Sequence, residues 1–285
     1  MGTSELIKRA LSAYTGHILR ALVRLRGLKA LLLAYGVAGC RYVEYSMALC
    51  WLKALKAKRR SEPLVVLDVG SGHSIFPCIL KEMGVLCVVL DVDEECVKWQ
   101  RRRLGVEGVV ASATHLPFRP GSLDAVTAIS TVEHIPGGDE RAMMEMGKAL
   151  KPCGLAVVSV PFSLRPFAIT DPMYGIPGFL RRLGGPLKAI LLRFGADVSG
   201  PFYMRYYDQE AINDDLVRPS GAELKASLFF GGPPMPFYKL VPMGAFTWLE
   251  LVISRLVKVM DRPIPQSDGV VLVLSKGRPL GAEPL

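Results

Sequence analysis

A chain of 285 residues with half its positions apolar has enough material for one sizeable core plus an accessory segment, and this excludes a disordered tail. The formal charge of +9 is unevenly placed: residues 1–60 hold twelve Lys or Arg against Glu5 and Glu44, net +10, which leaves 61–285 at −1. Six cysteines with no Cys-x-x-Cys pair and no adjoining His cluster argue against a zinc or thioredoxin-like site, so they read as buried free thiols and no metal is expected.

At the N-terminus, Leu6, Ala10, Tyr14, Ile18, Leu22 and Leu25 recur at three- and four-residue steps, with Lys8, Arg9, Arg20 and Arg26 on the opposite side, as in an amphipathic helix. No short apolar core precedes a small-residue cleavage site, so no signal peptide is read. The longest uncharged apolar runs, such as Ala30 to Cys40, are shorter than the ~18–20 residues a bilayer span needs, and a cytoplasmic protein with at most peripheral membrane contact is expected. A second helix is expected from about Tyr42 to Lys58, and the turn at Ser61 to Pro63 closes an N-terminal basic helical segment, 1–62.

From residue 63 the pattern alternates. "LVVLDV" (64–69), "VLCVVLD" (85–91), "GVVAS" (108–112), "DAVTAIS" (124–130) and "GLAVVSVP" (154–161) read as strands, with helices over 74–83, 94–103 and 139–150 between them. These strands are too apolar for a one-sided sheet and imply a parallel sheet covered on both faces. Five prolines interrupt 162–205, read as a cap insert with one helical stretch near 178–194. A helix over 206–217 capped by Asp208, a strand over 222–230, a helix over 246–260 within a second insert of about 231–268, and a final strand over 269–276 complete the chain. The expected fold is α/β: a Rossmann-like, doubly wound, mostly parallel seven-stranded sheet with an antiparallel final strand, plus N-terminal helices and a helical insert, over 63–285.

The chemistry concentrates at Asp68-Val69-Gly70-Ser71-Gly72, where the first strand turns into its helix and where parallel sheets bind ligands. A dinucleotide site requires a third glycine, which by spacing falls at Ile75; a bulky side chain stands there instead. Asp68 would meet a pyrophosphate with like charge but suits a ligand with an ammonium group. The stretch resembles the first motif of the class I S-adenosylmethionine-dependent methyltransferases, in the methyltransferase type 11 branch, and four motifs in order extend that resemblance over roughly 64–161.

The resemblance implies S-adenosylmethionine as cofactor, with Asp68, Gly70, Ser71 and Gly72 at its methionyl end and Asp91, with Val92 beside it, at the ribose hydroxyls. "ASATHLPF" (111–118) resembles the stretch that meets adenine and places Ser112 where the family has an acid, followed by Ala113 and Leu116; Leu116 and Phe118 read equally as packing. "STVEHIP" (130–136) resembles the segment after strand four, with Ser130 at the cofactor and His134 as first candidate for a general base, then Glu133 or His115. Ser130 in place of a first acid argues against a metal there.

The implied activity is methyl transfer by in-line displacement to an unidentified acceptor, more lipophilic or small than nucleic acid, since no RNA-binding module is visible. The basic segment invites an anionic partner such as a membrane surface, or is a solvated helix face. Two alternatives stay open: an NAD(P)-dependent oxidoreductase on the same fold, and a non-catalytic membrane- or partner-binding protein on this scaffold.

Overall fold

A computed structural model describes residues 40–59, 63–171, 202–231, 258–263 and 267–277. The amphipathic helix expected over 6–25, the helix near 178–194 and most of that expected over 246–260 lie outside the described residues.

Helix α1 (Cys40–Lys58) leads into β1 (Val65–Val69), α2 (Phe76–Glu82), β2 (Leu86–Asp91), α3 (Glu94–Trp99), β3 (Glu107–Val110) and β4 (Leu123–Ile129). Then follow a 3-10 turn (Val132–His134), α4 (Asp139–Ala149), β5 (Leu150–Pro161), β6 (Phe167–Asp171), β7 (Phe202–Tyr206), α5 (Gln209–Ala211), a π-helical stretch (Ile212–Val217), α6 (Arg218–Ser220), β8 (Glu223–Gly231), β9 (Lys258–Met260) and β10 (Gly269–Ser275). One sheet runs β3-β2-β1-β4-β5-β10-β8-β9. Strands β1 to β5 pair in parallel, and β10 lies antiparallel between β5 and β8. The chain order reverses between β1 and β4, which opens a crevice at their carboxyl ends.

The doubly wound reading and its antiparallel last strand match this architecture, but the sheet has eight strands where seven were expected, β9 being the added one. Two local differences have physical causes. Residues 258–260, expected as the end of a helix, form β9, because the free edge of β8 offers Phe229 to Gly231 as an antiparallel partner. Tyr206, expected to open a helix, ends β7 instead, pairing with Phe167; the helix waits for Asp208, whose carboxylate accepts from the Ala211 N–H at 2.9 Å.

Helix α1 packs as part of the core. Val43, Met47, Leu49, Leu52 and Leu55 are buried in one cluster with Val66 of β1, Ile75 and Phe76. Its ends are also fixed. At the carboxyl end, Lys56 donates to the carbonyls of Met83 and Gly84, and Arg59 pairs with Asp124, a buried carboxylate that also takes Lys151 at 3.0 Å and the Val65 N–H at 2.9 Å. At the amino end it reaches the crevice.

Candidate active site

The β1–α2 turn needs bare backbone. Gly70 has φ +65°, and a Cβ there would lie 2.2 Å from Thr131 Cγ2. Thr131 is itself pinned, donating to the Val69 carbonyl at 3.0 Å, so the turn sits directly against the end of β4. Gly72 has φ +49°, and no atom lies within 4 Å of where its Cβ would be, so the backbone there faces open space. The buried hydroxyl of Ser71, between them, has no hydrogen-bond partner among the described residues. Ile75, where a dinucleotide loop would want glycine, is core, 1% exposed.

Both acids expected at the cofactor sit at this turn. Asp68 is buried and accepts from Thr127 Oγ1 at 2.6 Å; burial raises its carboxyl from the ordinary 3.8 to about 7, against the Thr127 bond, and the charge of Asp91 adds to the rise. Asp91 accepts from the Gly72 N–H at 2.9 Å and, through its other oxygen, from the Asp93 N–H at 3.0 Å. Each oxygen retains lone-pair capacity toward hydroxyls. Asp93 accepts from the Glu95 N–H at 2.8 Å and caps α3, which releases Asp91 from that duty. Val92 beside it is 71% exposed, an apolar surface at the rim.

A third support was not read from the sequence. Gln100, fully buried at the start of a π-helical turn (Gln100–Leu104), donates its amide to the carbonyls of Gly72 and Ser74, both at 2.9 Å, and so fixes the turn from below. Ser74 Oγ accepts from the Phe76 N–H at 3.0 Å and shares a hydrogen bond of 2.8 Å with Tyr45 of α1, whose ring stacks on Phe76.

The stretch after β3 lies beside the same crevice. Ser112 Oγ accepts from the Thr114 N–H at 3.2 Å and shares a 2.8 Å bond with Thr114 Oγ1, a local turn. Ala113 and Leu116 are buried with Leu67, Val69 and Leu90, and Phe118 packs on that cluster. His115 is exposed, with Nδ1 2.9 Å from Thr114 Oγ1.

At the end of β4 the site draws on distant parts of the chain. Ser130 has φ +46°, a conformation unusual for a residue with a side chain. Its N–H donates to Ser159 Oγ at 2.9 Å, and its hydroxyl donates to Glu44 Oε1 at 2.9 Å. Ser159 Oγ donates to the same Glu44 oxygen at 2.8 Å, while Arg41 bonds Glu44 Oε2 at 3.1 Å and the Ile129 carbonyl at 3.2 Å. Helix α1 thus delivers a buried carboxylate onto the mouth of β4. Its sequence signal was a solitary acid, Glu44, among basic and apolar neighbours.

Glu133 and His134 follow on the 3-10 turn. Glu133 is buried, its Oε2 without a hydrogen-bond partner among the described residues, and burial pushes its carboxyl up to about 8. His134 Nδ1 lies 2.7 Å from the Tyr203 carbonyl of β7, which can only accept, so Nδ1 carries a proton. Nε2 lies 3.8 Å from Glu133 Oε1. Partial burial lowers the basicity of His134 and the Tyr203 bond opposes that; with 37% of the side chain exposed, the ring stays in contact with water. Of the tyrosines of "FYMRYYD", Tyr206 stacks on Phe167 and Tyr207 is buried with its hydroxyl on Asp139 Oδ2 at 2.8 Å.

The structure therefore gathers Asp68, Gly70, Ser71, Gly72 and Asp91 at one turn, and Ser130, Glu133 and His134 at the adjoining strand end. Among the described residues, no group of three or more His, Cys, Asp or Glu side chains is placed to hold a metal ion. A cavity of about 500 Å³ lined by Lys148, Leu150 and Lys276 among others lies at the start of β5, the opposite end of the sheet; Lys276 there donates to the carbonyls of Gly147 and Lys148.

Residues 67–158, which span these turns, match the sequence profile described as a methyltransferase domain. The match covers about a third of the chain. A methyltransferase of Mycobacterium sp. (strain KMS), itself described as uncharacterized, is 36% identical over 103 residues, 36% of this chain and 40% of that protein. A demethylmenaquinone methyltransferase of Beutenbergia cavernae is 33% identical over 111 residues, 39% of this chain and 45% of that protein. An uncharacterized methyltransferase of Mycobacterium leprae is 28% identical over 210 residues, 69% of this chain and 71% of that protein. The chain thus spans about 40% of the length of the first of these relatives. No helix among the described residues is long and apolar enough to cross a membrane.

Proposed function

We propose that this chain transfers a methyl group from S-adenosylmethionine to a small or lipophilic acceptor, with His134 Nε2 as proton acceptor. One observation supports the cofactor above others: a buried acid, Asp68, lies beneath a turn whose Gly72 backbone faces open space and whose Ser71 hydroxyl is buried without a partner. A pyrophosphate in that place would meet a carboxylate, whereas an ammonium group would draw Asp68 into its ionised form. Asp68, Gly70, Ser71 and Gly72 would hold the methionyl end. Asp91 would take the ribose hydroxyls, Val92, Ser112, Ala113 and Leu116 the adenine, and Ser130 the side toward the acceptor.

When bound, S-adenosylmethionine supplies a methyl carbon already activated by a sulfonium, so no covalent intermediate on the protein is required. The residues at the end of β4 then have to align the acceptor and exclude water. His134, with its proton on Nδ1, presents the Nε2 lone pair to an acceptor hydroxyl or ammonium. Glu133, whose carboxyl stays protonated up to about pH 8, adds no competing negative charge at neutrality.

The exposed apolar side chains Leu164 and Phe167 at the β6–β7 ladder favour a lipophilic acceptor, in keeping with a relative named for demethylmenaquinone. The basic segment 1–60 gives the same protein affinity for an anionic membrane surface, where such an acceptor resides.

Calorimetry with S-adenosylhomocysteine and NADH tests the cofactor. Saturable binding of the former, not displaced by NADH, is expected; NADH binding that S-adenosylhomocysteine cannot displace would establish the oxidoreductase alternative instead. A scan of lipid and small-molecule extracts with radiolabelled methyl donor then identifies the acceptor, on which His134→Ala should lower the rate about a hundredfold. Full activity of His134→Ala would remove the proton-acceptor role.

A further inference from the structure

The Tyr203 carbonyl decides which nitrogen of His134 is protonated, yet it belongs to a strand outside the main sheet. Among the described residues, β6 and β7 pair with each other and with no strand of the main sheet, and a two-stranded ladder is marginal by itself. Just beyond β7 the Tyr207 N–H donates to the Pro161 carbonyl at 3.1 Å and its carbonyl accepts from the Ser163 N–H at 2.9 Å, a tie at the end of the strand. A second tie lies nearer the carbonyl that meets Nδ1 at 2.7 Å.

Arg205 lies two residues beyond Tyr203 on β7, so its side chain leaves the same face of the strand. Its guanidinium donates to Asp139 Oδ2 at 2.6 Å and to Asp215 Oδ2, and lies over the Tyr207 ring at 4.8 Å from the centroid. Asp139 is buried and is the first residue of α4, five positions beyond His134. The contacts close a ring: His134 leads to Asp139 through the chain, Asp139 to Arg205 through an ion pair, Arg205 to Tyr203 through the strand, and Tyr203 back to His134 through the hydrogen bond. Asp215, on the π-helical stretch after β7, braces the guanidinium from a second element.

We propose that Arg205 is a positioning residue for His134: by clamping β7 to Asp139 and Asp215 it holds the Tyr203 carbonyl on Nδ1 and keeps the neutral ring's lone pair on Nε2. A solvated imidazole has no such constraint, so loss of the clamp releases the ring to exchange tautomers. Among the described residues, the charged groups recorded against His134 are Glu133 on its own turn, 3.8 Å from Nε2, and Arg41 on α1; below about pH 8 the Glu133 carboxyl holds its proton and places no charge at Nε2. The inference that this matters for catalysis rests on the proton-acceptor reading above; the inference about the tautomer does not.

The ring-nitrogen ¹⁵N shifts of His134 in the full chain read the tautomer directly, without any activity. In the wild type at pH 7, where Glu133 is neutral, the Nδ1–H form should dominate; in Arg205→Gln the Nε2–H form should become the larger population. Arg205→Lys should restore little, because one ammonium does not span both carboxylates as the guanidinium fork does. With the acceptor in hand, kcat of Arg205→Gln should fall about tenfold while S-adenosylhomocysteine affinity stays within about twofold. Should Arg205→Gln fail to fold, Asp215→Asn removes one brace only and is read in the same way. A folded variant of either kind with the wild-type tautomer ratio would overturn the clamp. A shifted ratio with an unchanged rate would confirm the clamp and sink the role of His134 as proton acceptor.

Discussion

On the proposed cofactor side of the cleft, Asp68, Gly70, Ser71, Gly72 and Asp91 lie within 24 consecutive residues, and Asp91 takes the Gly72 N–H from 19 positions away, while Asp68 takes Thr127 from 59. On the acceptor side, Ser130 meets Glu44 from 86 positions away, Ser159 meets the same acid from 115, and His134 meets Tyr203 from 69. The ligand-facing groups of the first half come from one strand end and its turn, which Thr127, Thr131 and Gln100 support from farther along the chain. The second is assembled by tertiary packing, and its polar groups are fixed only when the N-terminal helix and the β6–β7 ladder are in place. A site whose chemistry is generic can be encoded locally, whereas one that must fit a particular acceptor draws on whatever elements surround it.

The largest effect that would test this contrast is expected at the turn itself. Gly70→Val forces a branched side chain onto the fixed Thr131 and onto a positive φ, and should weaken S-adenosylhomocysteine binding by about 3–4 kcal/mol in calorimetry, with only a modest change in thermal unfolding of the rest. Comparable loss of structure at the β6–β7 ladder, seen by amide exchange at 202–206, would show that the halves are not separable.

Asp68→Asn should act in opposite directions on binding and stability. The folded carboxyl holds its proton up to about pH 7 while the unfolded one loses it near 3.8, so the native state loses stability as pH rises between those values. At pH 8 the substitution should therefore stabilise the ligand-free protein by about 2 kcal/mol in urea unfolding. It should also lower S-adenosylhomocysteine affinity by about tenfold or more, and abolish the wild-type decline in affinity of about tenfold per pH unit below 7. Affinity flat from pH 5 to 8 in the wild type would show that Asp68 does not answer the ligand's ammonium.

Glu44→Ala removes the acceptor for two hydroxyls and the partner of Arg41, and should cost about 2 kcal/mol of stability and reduce kcat more than cofactor affinity. An equal loss in both would mean that α1 serves the whole cleft. The smallest effect is expected for Glu133→Gln, an amide in place of a carboxyl that is already neutral: a rate within about threefold of wild type at pH 7. A much larger loss would assign Glu133 a charge or a proton to move.

The same contrast explains what could be read in advance. The strands β1 to β5, the turn and the two acids were legible because apolar runs, glycine spacing and strand-end carboxylates are signals contained in short windows. Gln100 was not: its role depends on a π-helical turn that aims its amide at Gly72, and one glutamine on a helix gives no hint of this. Arg205 reads as one cation in an aromatic run until the fold brings Asp139, 66 positions away, against it. Strand β9 was hidden for a similar reason, since "KVM" has no strand pattern of its own and takes its form from the edge it meets.

Helix α1 enters both the hydrophobic interior and the polar mouth of the cleft, and this joint duty sets where the chain can be shortened. Val43, Met47, Leu49, Leu52 and Leu55 each contribute about 2 kcal/mol by leaving water, on the same helix whose Glu44 holds Ser130 in its unusual conformation. A version of the protein cut after Arg59 would surrender architecture and acceptor geometry together, so trimming experiments on the basic segment have to stop short of Cys40 if loss of function is to be told apart from loss of fold.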